Sequence, residues 1–239
     1  MASSTEVKPF RWSFSQWENY NGCPRRWQYK SVLKLPSAPP GPAAARGLEM
    51  HDRAERYIKG ELETVEPPAD LRFGDKKAAV IAEKYVHVLN EFRDHPNGER
   101  HTEFRMAFDD EWYLTGGYSS SNTWLIAVLD AARGLNGTLH IGEWKSGKPK
   151  ETHVDQRKLY ALAGFRRWMV DDVRVTTYYL EDTAPPERLV VKATAEDKLK
   201  ALWHGRVEQM QRDKILAPKP GMHCRWCDYS KAKGGPCAF

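Results

Sequence analysis

The chain has 239 residues, of which 41% are hydrophobic and 29% are charged, and its formal net charge is +5. This length and composition fit one globular unit with a sizeable core, and the modest positive charge permits a polyanionic partner without requiring one. Residues 1–12 contain no apolar core of signal-peptide length, and no apolar run approaches the length of a membrane span. We therefore expect a cytoplasmic protein without a membrane association.

The N-terminal part of the chain is predicted to contain helices separated by irregular segments. Ser15 and Glu18 form a capping-box pattern, which predicts the start of a short first helix. Residues 36–42 are rich in proline and alanine and predict an extended connector. A longer helix is predicted over residues 44–58, and a second amphipathic helix is predicted over residues 75–94.

One histidine on the first long helix is a candidate functional residue. Leu48, His51, Glu55 and Ile58 recur at helical spacings, which places His51 beside the stripe predicted to face inward. A histidine in this position is more often a hydrogen-bonded core residue than a metal ligand, and the pattern alone leaves both interpretations open.

The rest of the chain alternates between strand-like and helical patterns. Strands are predicted over 100–108, 112–114, 124–130, 138–143, 173–180 and 189–192, and helices over 152–169 and 194–214. This order predicts an α/β fold with a mixed central β-sheet flanked by helices. We expect a single domain over residues 1–239 with a core at about 44–192. Glu103, on the first of these strands, is interpreted as a peripheral charge.

Two acidic residues and a lysine stand at the ends of two apolar strand-like runs. Asp130 ends the first run, and Glu143 ends the second run two residues before Lys145. The dipeptide 136–137 between the runs is Asn-Gly, a strong hairpin signal, so the two carboxylates are expected on neighbouring strands. Such carboxylates bind Mg²⁺, and a nearby ammonium can neutralise charge on a phosphate. The alternative is a solvated ion pair worth a few tenths of a kcal/mol.

The four cysteines are distributed unevenly along the chain. Cys23 lies near the N-terminus, and Cys224, Cys227 and Cys237 lie in the last sixteen residues. In a reducing compartment such a cluster is more often metal-binding than disulfide-bonded. Zinc, an iron–sulfur cluster and free thiols all remain open, and His223 is interpreted as a bystander.

Two further patterns suggest contact with nucleic acid. On the helix over 152–169, Gln156, Tyr160, Gly164 and Arg167 form a polar row that we interpret as facing a substrate. Arginine also neighbours tryptophan in three places, 25–27, 166–168 and 225–226. Such pairs can stack on unpaired bases, or they can be core aromatic residues with solvated neighbours.

Taken in order, these segments resemble the RecB-like branch of the PD-(D/E)XK nuclease superfamily. The resemblance covers most of the chain and is carried by the segments 13–20, 23–27, 47–51 and 143–147, together with Asp130, Gln156, Tyr160 and the cysteine tail. It is greatest to members with an iron–sulfur staple, such as the nuclease domain of the AddB subunit, the CRISPR-associated adaptation exonucleases and their phage relatives. Such members have a restriction-endonuclease-like core.

The resemblance assigns a role to each candidate residue. It implies that His51, Asp130 and Glu143 hold Mg²⁺ or Mn²⁺ and that Lys145 is the catalytic lysine. Gln156 and Tyr160 match a motif that helps hold the DNA, and Arg167 is expected to bind phosphate beside them. The cysteines would ligate a [4Fe–4S] cluster, with Zn²⁺ as the alternative. These four ligands are Cys23, Cys224, Cys227 and Cys237.

The implied activity is a metal-dependent DNA exonuclease acting on free ends of single-stranded DNA in recombination, repair or CRISPR-type adaptation. Segments 13–35 and 194–239 would form a lobe closed by the cluster. The alternatives are a non-catalytic DNA-binding subunit and a subunit that works with recombination or CRISPR-adaptation proteins. Two departures from the family pattern are Ala127, where relatives often have glycine, and the nine residues between Cys227 and Cys237.

Overall fold

The structure is a computed structural model that describes residues 10–39, 41–67, 75–94, 101–135 and 137–239. Five strands form one sheet in the order β1-β2-β3-β4-β5. The strands are β1 (His101–Phe108), β2 (Leu125–Leu135), β3 (Thr138–Lys145), β4 (Asp172–Tyr179) and β5 (Glu187–Lys192). The β3–β4 pair is parallel and the other three pairs are antiparallel, so the predicted mixed sheet is confirmed. Residue 100, where β1 was expected to begin, lies outside the described residues.

Six α-helices surround the sheet in the described part of the chain. They are α1 (Phe14–Gly22), α2 (Pro24–Trp27), α3 (Pro42–Lys59), α4 (Lys76–Arg93), α5 (Thr152–Trp168) and α6 (Glu196–Arg212). Helix α5 connects β3 to β4, because parallel neighbours need a crossover. In the described residues no helix has the length and apolarity needed to cross a membrane.

The first helix begins at a different serine from the predicted one. The backbone of Ser13 is extended, and its hydroxyl accepts a hydrogen bond from the Gln16 backbone N–H at 3.4 Å. Ser15 lies inside the first turn, and its hydroxyl contacts that of Ser13 at 3.0 Å. The capping prediction at Ser15 was therefore wrong, although the helix itself is present.

One face of the sheet packs against α5, which in turn contacts α1 and α6. Trp203 of α6 lies at the centre of this layer, with its ring 5.5 Å from Trp12 and 5.1 Å from Trp17 between centroids. All three tryptophan side chains are buried. Since α1 and α6 share this core with the sheet, the two ends of the chain are held close together by apolar packing.

The other face of the sheet is covered by α3 and α4. Its buried side chains include Met50, Ala54 and Ile58 from α3, and Phe92 from α4. Leu48 was expected in the inward stripe of α3, but its side chain is 65% exposed. That detail of the prediction was wrong, because the inward face runs through positions 50, 54, 57 and 58, which lie on one side of the helix.

Alternation along β3 determines which layer each of its side chains meets. Leu139 and Ile141 belong to the core beneath α5, whereas Trp144 belongs to the core beneath α4. Successive side chains of a strand point to opposite faces. Glu143 and Lys145 therefore share the face of Leu139 and Ile141 and point toward α5.

Candidate active site

The β2–β3 hairpin brings the two predicted carboxylates together. Its antiparallel register ends with the pair Ala131 and Gly142, so Asp130 and Glu143 are the next residues on their strands. The Trp144 backbone N–H donates a hydrogen bond to Asp130 Oδ2 at 2.6 Å, which fixes the carboxylate against β3. The expected juxtaposition of the two carboxylates is therefore present. Residue 136 of the predicted turn lies outside the described residues.

The backbone is irregular where β1 passes Asp130. The β1–β2 ladder pairs residues on both sides of Glu103 and Asp130 and skips these two. Glu103 has φ of 44°, in the left-handed region that a glutamate rarely adopts. A residue held in this region costs on the order of 1–3 kcal/mol, and such residues are concentrated at functional sites.

This irregularity belongs to a group of three side chains that could hold a metal ion. His51 Nδ1, from α3, lies 3.4 Å from Asp130 Oδ1 and 3.7 Å from Glu103 Oε1. One donor atom from each residue falls within 4.8 Å of the other two. Glu103 was expected to be peripheral, and the structure instead places it beside His51 and Asp130. Its acidic side chain on the strand next to Asp130 is the sequence signal that could have revealed it.

Glu143 lies beside this group in a network of its own. Its Oε1 accepts hydrogen bonds from Lys145 Nζ and from Gln156 Nε2, both at 2.7 Å. Its Oε2 is buried and has no hydrogen-bond partner among the described residues. A buried carboxylate oxygen without a donor is costly unless a cation or water satisfies it. The Glu143 carboxylate therefore fits the role of a metal ligand.

The electrostatics of the site favour a bound cation. Burial, reinforced by the negative charge of Asp130, raises the pKa of Glu143 to about 7. Burial opposes the charged form of His51, but hydrogen bonds to Asp130 and Glu103 outweigh this effect and raise its pKa to about 10. The negative charge of Asp130 contributes to both shifts. Two carboxylates and an imidazole, with a third carboxylate alongside, suit a divalent ion such as Mg²⁺ or Mn²⁺.

Lys145 provides the positive charge of the site. Burial disfavours its ammonium form, but Glu143 and Asp130 more than compensate and raise the pKa of Lys145 above its usual value. Lys145 is therefore a cation at neutral pH, held by its hydrogen bond to Glu143.

Gln156 and Tyr160 support the site from α5. Gln156 Nε2 lies 3.1 Å from the hydroxyl oxygen of Tyr160 and also donates to Glu143. Both side chains are buried, and burial raises the pKa of Tyr160 well above its usual value. In this geometry the two residues orient the Glu143 carboxylate.

The rest of the predicted polar row on α5 has other surroundings. A Cβ atom at Gly164 would lie 2.8 Å from Leu139 Cδ2, so this glycine allows close packing of α5 on the sheet. The guanidinium of Arg167 lies over the rings of Phe104 and Trp168, at 5.5 Å and 5.2 Å from their centroids. The expectation that all four residues form one substrate-facing stripe was therefore wrong.

The four cysteines converge on one cavity formed by the two ends of the chain. Cys23, Cys224, Cys227 and Cys237 all line it, and none of them forms a disulfide. The Lys219 backbone N–H points at Cys23 Sγ at 3.4 Å. The Tyr229 hydroxyl also donates to the Leu35 carbonyl oxygen at 3.2 Å, which ties the tail to the N-terminal segment.

The three tryptophans that neighbour arginine have different environments. Trp27 is buried in the core. Trp168 is partly buried and packs against the same core cluster. Trp226, beside the cysteine cavity, is 69% exposed. The core interpretation therefore applies to Trp27, whereas Trp226 is accessible to a partner.

The chain has a restriction-endonuclease-like α/β fold. This class is defined by the mixed five-stranded sheet, with clustered acidic residues and a lysine on adjoining strands. The sequence profile of the PD-(D/E)XK nuclease superfamily matches residues 11–232, and the chain therefore belongs to this superfamily. The superfamily prediction is confirmed. The protein is a nuclease, its superfamily implies DNA as the substrate, and nucleases of this superfamily use divalent metal ions.

Two solved structures are similar to this chain at low sequence identity. The crystal structure of SSO0001 has a TM-score of 0.46 and 14% identity, covering 95% of this chain and 86% of that one. A "Putative exonuclease" from Eubacterium rectale has a TM-score of 0.45 and 10% identity, covering 100% of this chain and 94% of that one. No curated protein sequence matches this chain significantly.

Proposed function

We propose that the protein is a metal-dependent exonuclease that acts on free ends of single-stranded DNA. The observation that carries the nuclease chemistry is the convergence of His51, Glu103 and Asp130 beside the Glu143–Lys145 pair. The exonuclease character and the single-strand preference rest on the resemblance of the sequence to the RecB-like branch. The same resemblance supports a role in recombination, repair or CRISPR-type adaptation.

The proposed metal ligands are His51, Asp130 and Glu143, with Glu103 as an additional ligand. The unsatisfied Glu143 Oε2 and the carboxylates of Asp130 and Glu103 around His51 support a cation in this position. A bound Mg²⁺ or Mn²⁺ supplies Lewis-acid polarisation of the phosphate and a more acidic water.

The remaining groups act through their positive charge or their hydrogen bonds. The Lys145 ammonium, held by Glu143, is available to neutralise charge that develops on the phosphate oxygens. The Trp144 backbone N–H orients Asp130, and Gln156 orients Glu143. Gln156 and Tyr160 are therefore positioning residues in this proposal.

The cysteine cavity is proposed to hold a [4Fe–4S] cluster, with Zn²⁺ as the alternative. All four cysteines line the cavity. Four thiolates can ligate either a [4Fe–4S] cluster or one zinc ion. The cluster is preferred because of the resemblance to nucleases with an iron–sulfur staple. Its role would be structural, joining segments 13–35 and 194–239.

The test is digestion of end-labelled single-stranded and double-stranded DNA with Mg²⁺ or Mn²⁺. The wild-type protein is expected to release nucleotides from the ends of single strands, and the label reports the polarity. Lys145→Ala and Asp130→Ala are each expected to lower the rate by about 10²-fold or more, since the first removes a positive charge at the phosphate and the second removes a proposed metal ligand. Lys192→Ala removes an exposed lysine from β5 and is the matched control.

The outcomes separate the proposal from its alternatives. Cleavage only within closed circular DNA would overturn the exonuclease assignment. DNA binding without cleavage in either metal would favour a non-catalytic subunit, or one that needs a recombination or CRISPR-adaptation partner. Full activity of Lys145→Ala would show that this lysine has no catalytic role.

A further inference from the structure

A groove runs along the outer edge of β1, next to the candidate metal group. It is open to solvent and holds about 350 Å³, near the lower end of the range of about 300–1,000 Å³ that is typical of ligand pockets. One wall is β1 itself, which is the outermost strand of the sheet. The other wall is the segment 114–118, and Arg167 of α5 also lines the groove. Glu103 of the metal group immediately precedes Phe104, the first residue of β1 that lines the groove. The groove and the metal group are therefore neighbours along β1.

Two arginines give the groove its charge. Arg105 is exposed on β1, and Arg167 is half-buried. Among the described residues neither guanidinium has a carboxylate partner. Other arginines near the sheet are paired, as Arg157 is with Glu187 and Arg133 with Glu91. Unpaired guanidinium groups are the preferred donors to phosphate oxygens.

Aromatic side chains accompany the two arginines. Phe104 lies against Trp168 with 5.2 Å between ring centroids, and Arg167 lies over both rings. Tyr118 lines the opposite wall, and its buried hydroxyl has no hydrogen-bond partner among the described residues. Burial raises the pKa of Tyr118, and the nearby charge of Arg105 opposes this shift.

The wall that carries Tyr118 is well fixed. The Thr123 hydroxyl donates to the Gly117 carbonyl oxygen at 2.7 Å, and Arg11 donates to the Ser120 carbonyl oxygen at 2.9 Å. A ring held on a fixed wall loses little freedom when a base stacks on it, which favours binding.

We propose that this groove holds the part of a single-stranded DNA substrate next to the scissile phosphate. Arg105 and Arg167 contact the phosphates, and a base stacks on Tyr118. Unpaired bases with a phosphate backbone match this combination, because stacking on aromatic rings and contacts to cations are how single strands are bound without sequence preference. The inference rests on the proposed nuclease function and adds the path of the strand to it.

The charge contacts are tested by fluorescence anisotropy with a 5′-fluorescein-labelled oligothymidylate of 20 nucleotides in EDTA, where cleavage cannot occur. Arg105→Ala and Arg167→Ala are each expected to weaken binding by at least about five-fold. The salt dependence of log K should become shallower by about 0.7 for each phosphate contact removed. Arg188→Ala is the matched control, because it removes an exposed arginine from β5 at the opposite edge of the sheet.

The stacking contact is tested at Tyr118. Tyr118→Ala removes the ring and is expected to weaken binding by at least about five-fold, the low end of the effect of one base-stacking side chain. Tyr118→Phe keeps the ring and loses only the hydroxyl, so it should retain most of the affinity. If Tyr118→Ala binds the oligonucleotide as tightly as the wild type does, no base stacks on Tyr118.

Cleavage of the same oligonucleotide with Mn²⁺ separates this proposal from the nuclease assignment. One outcome is that the wild type binds and cleaves while the Arg105 and Arg167 variants match Arg188→Ala in affinity and salt slope. In that case the proposal that the groove binds the strand is overturned, and the nuclease assignment stands. If the wild type binds but does not cleave, with the arginine variants weakened, the groove stands and the exonuclease proposal fails. If the wild type neither binds nor cleaves single strands, both proposals fail.

Discussion

Glu103 shows how a single residue can escape prediction from sequence. The alternation of residues 101–108 correctly indicates a strand, but it assumes regular backbone throughout. At Glu103 the backbone is left-handed, and the ladder with β2 skips this position. A break of this kind has no signature in a hydrophobic pattern, so the side chain that joins His51 and Asp130 was taken for a peripheral charge.

Glu103→Gln is expected to weaken metal binding. The substitution preserves size and removes one of the negative charges around the candidate metal position, so the apparent affinity for Mn²⁺ should fall by roughly 10–100-fold. The measurement is a Mn²⁺ titration of nuclease activity, complemented by calorimetry. Glu111→Gln, in the exposed turn after β1, is the control. An unchanged Mn²⁺ midpoint in Glu103→Gln would exclude this residue from the metal site.

His140 makes the stability of the protein depend on pH. Burial, together with the charge of Arg133, lowers the pKa of His140 to about 3, compared with about 6.5 in an unfolded chain. Between these values the unfolded state binds more protons, so the stability is complete above about pH 6.5 and is lost as the pH falls. From pH 8 to pH 5 the wild type should lose about 2 kcal/mol more than His140→Gln, provided that the folded pKa lies below 5.

Urea denaturation of both proteins at pH 8 and pH 5 gives this difference. The glutamine can still contact Thr176, whose hydroxyl lies 3.1 Å from His140 Nε2, and it does not titrate. The same pH dependence in both proteins would show that other groups, and not His140, cause the acid sensitivity.

At the scale of elements, the β2–β3 hairpin was well predicted because its signals are local. The apolar runs and the Asn-Gly dipeptide lie close together in the sequence. The prediction that the first strand ends at Asp130 was wrong, because β2 continues to Leu135. Alternation along β3 then determines that Glu143 faces α5. The division of α5 is different. Gln156 contacts Glu143 of β3, whereas Arg167 lies over Phe104 of β1. Helical periodicity alone does not indicate which strand lies beneath each residue.

Gly142 tests how tightly this hairpin is packed next to the site. A Cβ atom there would lie 2.6 Å from Phe92 Cζ and 2.7 Å from Trp144 Cη2, both on rings that are themselves buried. Gly142→Ala should therefore lower the free energy of unfolding by about 2 kcal/mol. In the same hairpin a Cβ at Gly134 meets no atom within 4 Å, so Gly134→Ala should change stability by less than about 0.5 kcal/mol. Equal urea midpoints for the two variants would contradict this packing argument.

At the scale of the whole molecule, the sequence predicted the layers but not the way in which the ends are packed. Trp12, Trp17 and Trp203 meet over nearly 200 residues of sequence separation, and neither local periodicity nor composition indicates such a contact. The convergence of the cysteines was expected only from their chemistry and from the family resemblance. The structure provides the physical reason, since α1 and α6 are already held together by the tryptophans beside the cysteine cavity.

The proposed cluster at the cysteines leads to a prediction about the loss of one of its ligands. Cys23→Ser and Cys237→Ser are each expected to abolish the iron content and the visible absorption, and to expose the tail after Asp213 to protease. The sheet and the packing around Trp203 should persist, because none of those contacts involves a cysteine. His223→Ala changes a residue that lines the same cavity, and it should keep the metal. Complete unfolding of Cys237→Ser would mean that the metal, rather than the tryptophan core, holds the two ends of the chain together.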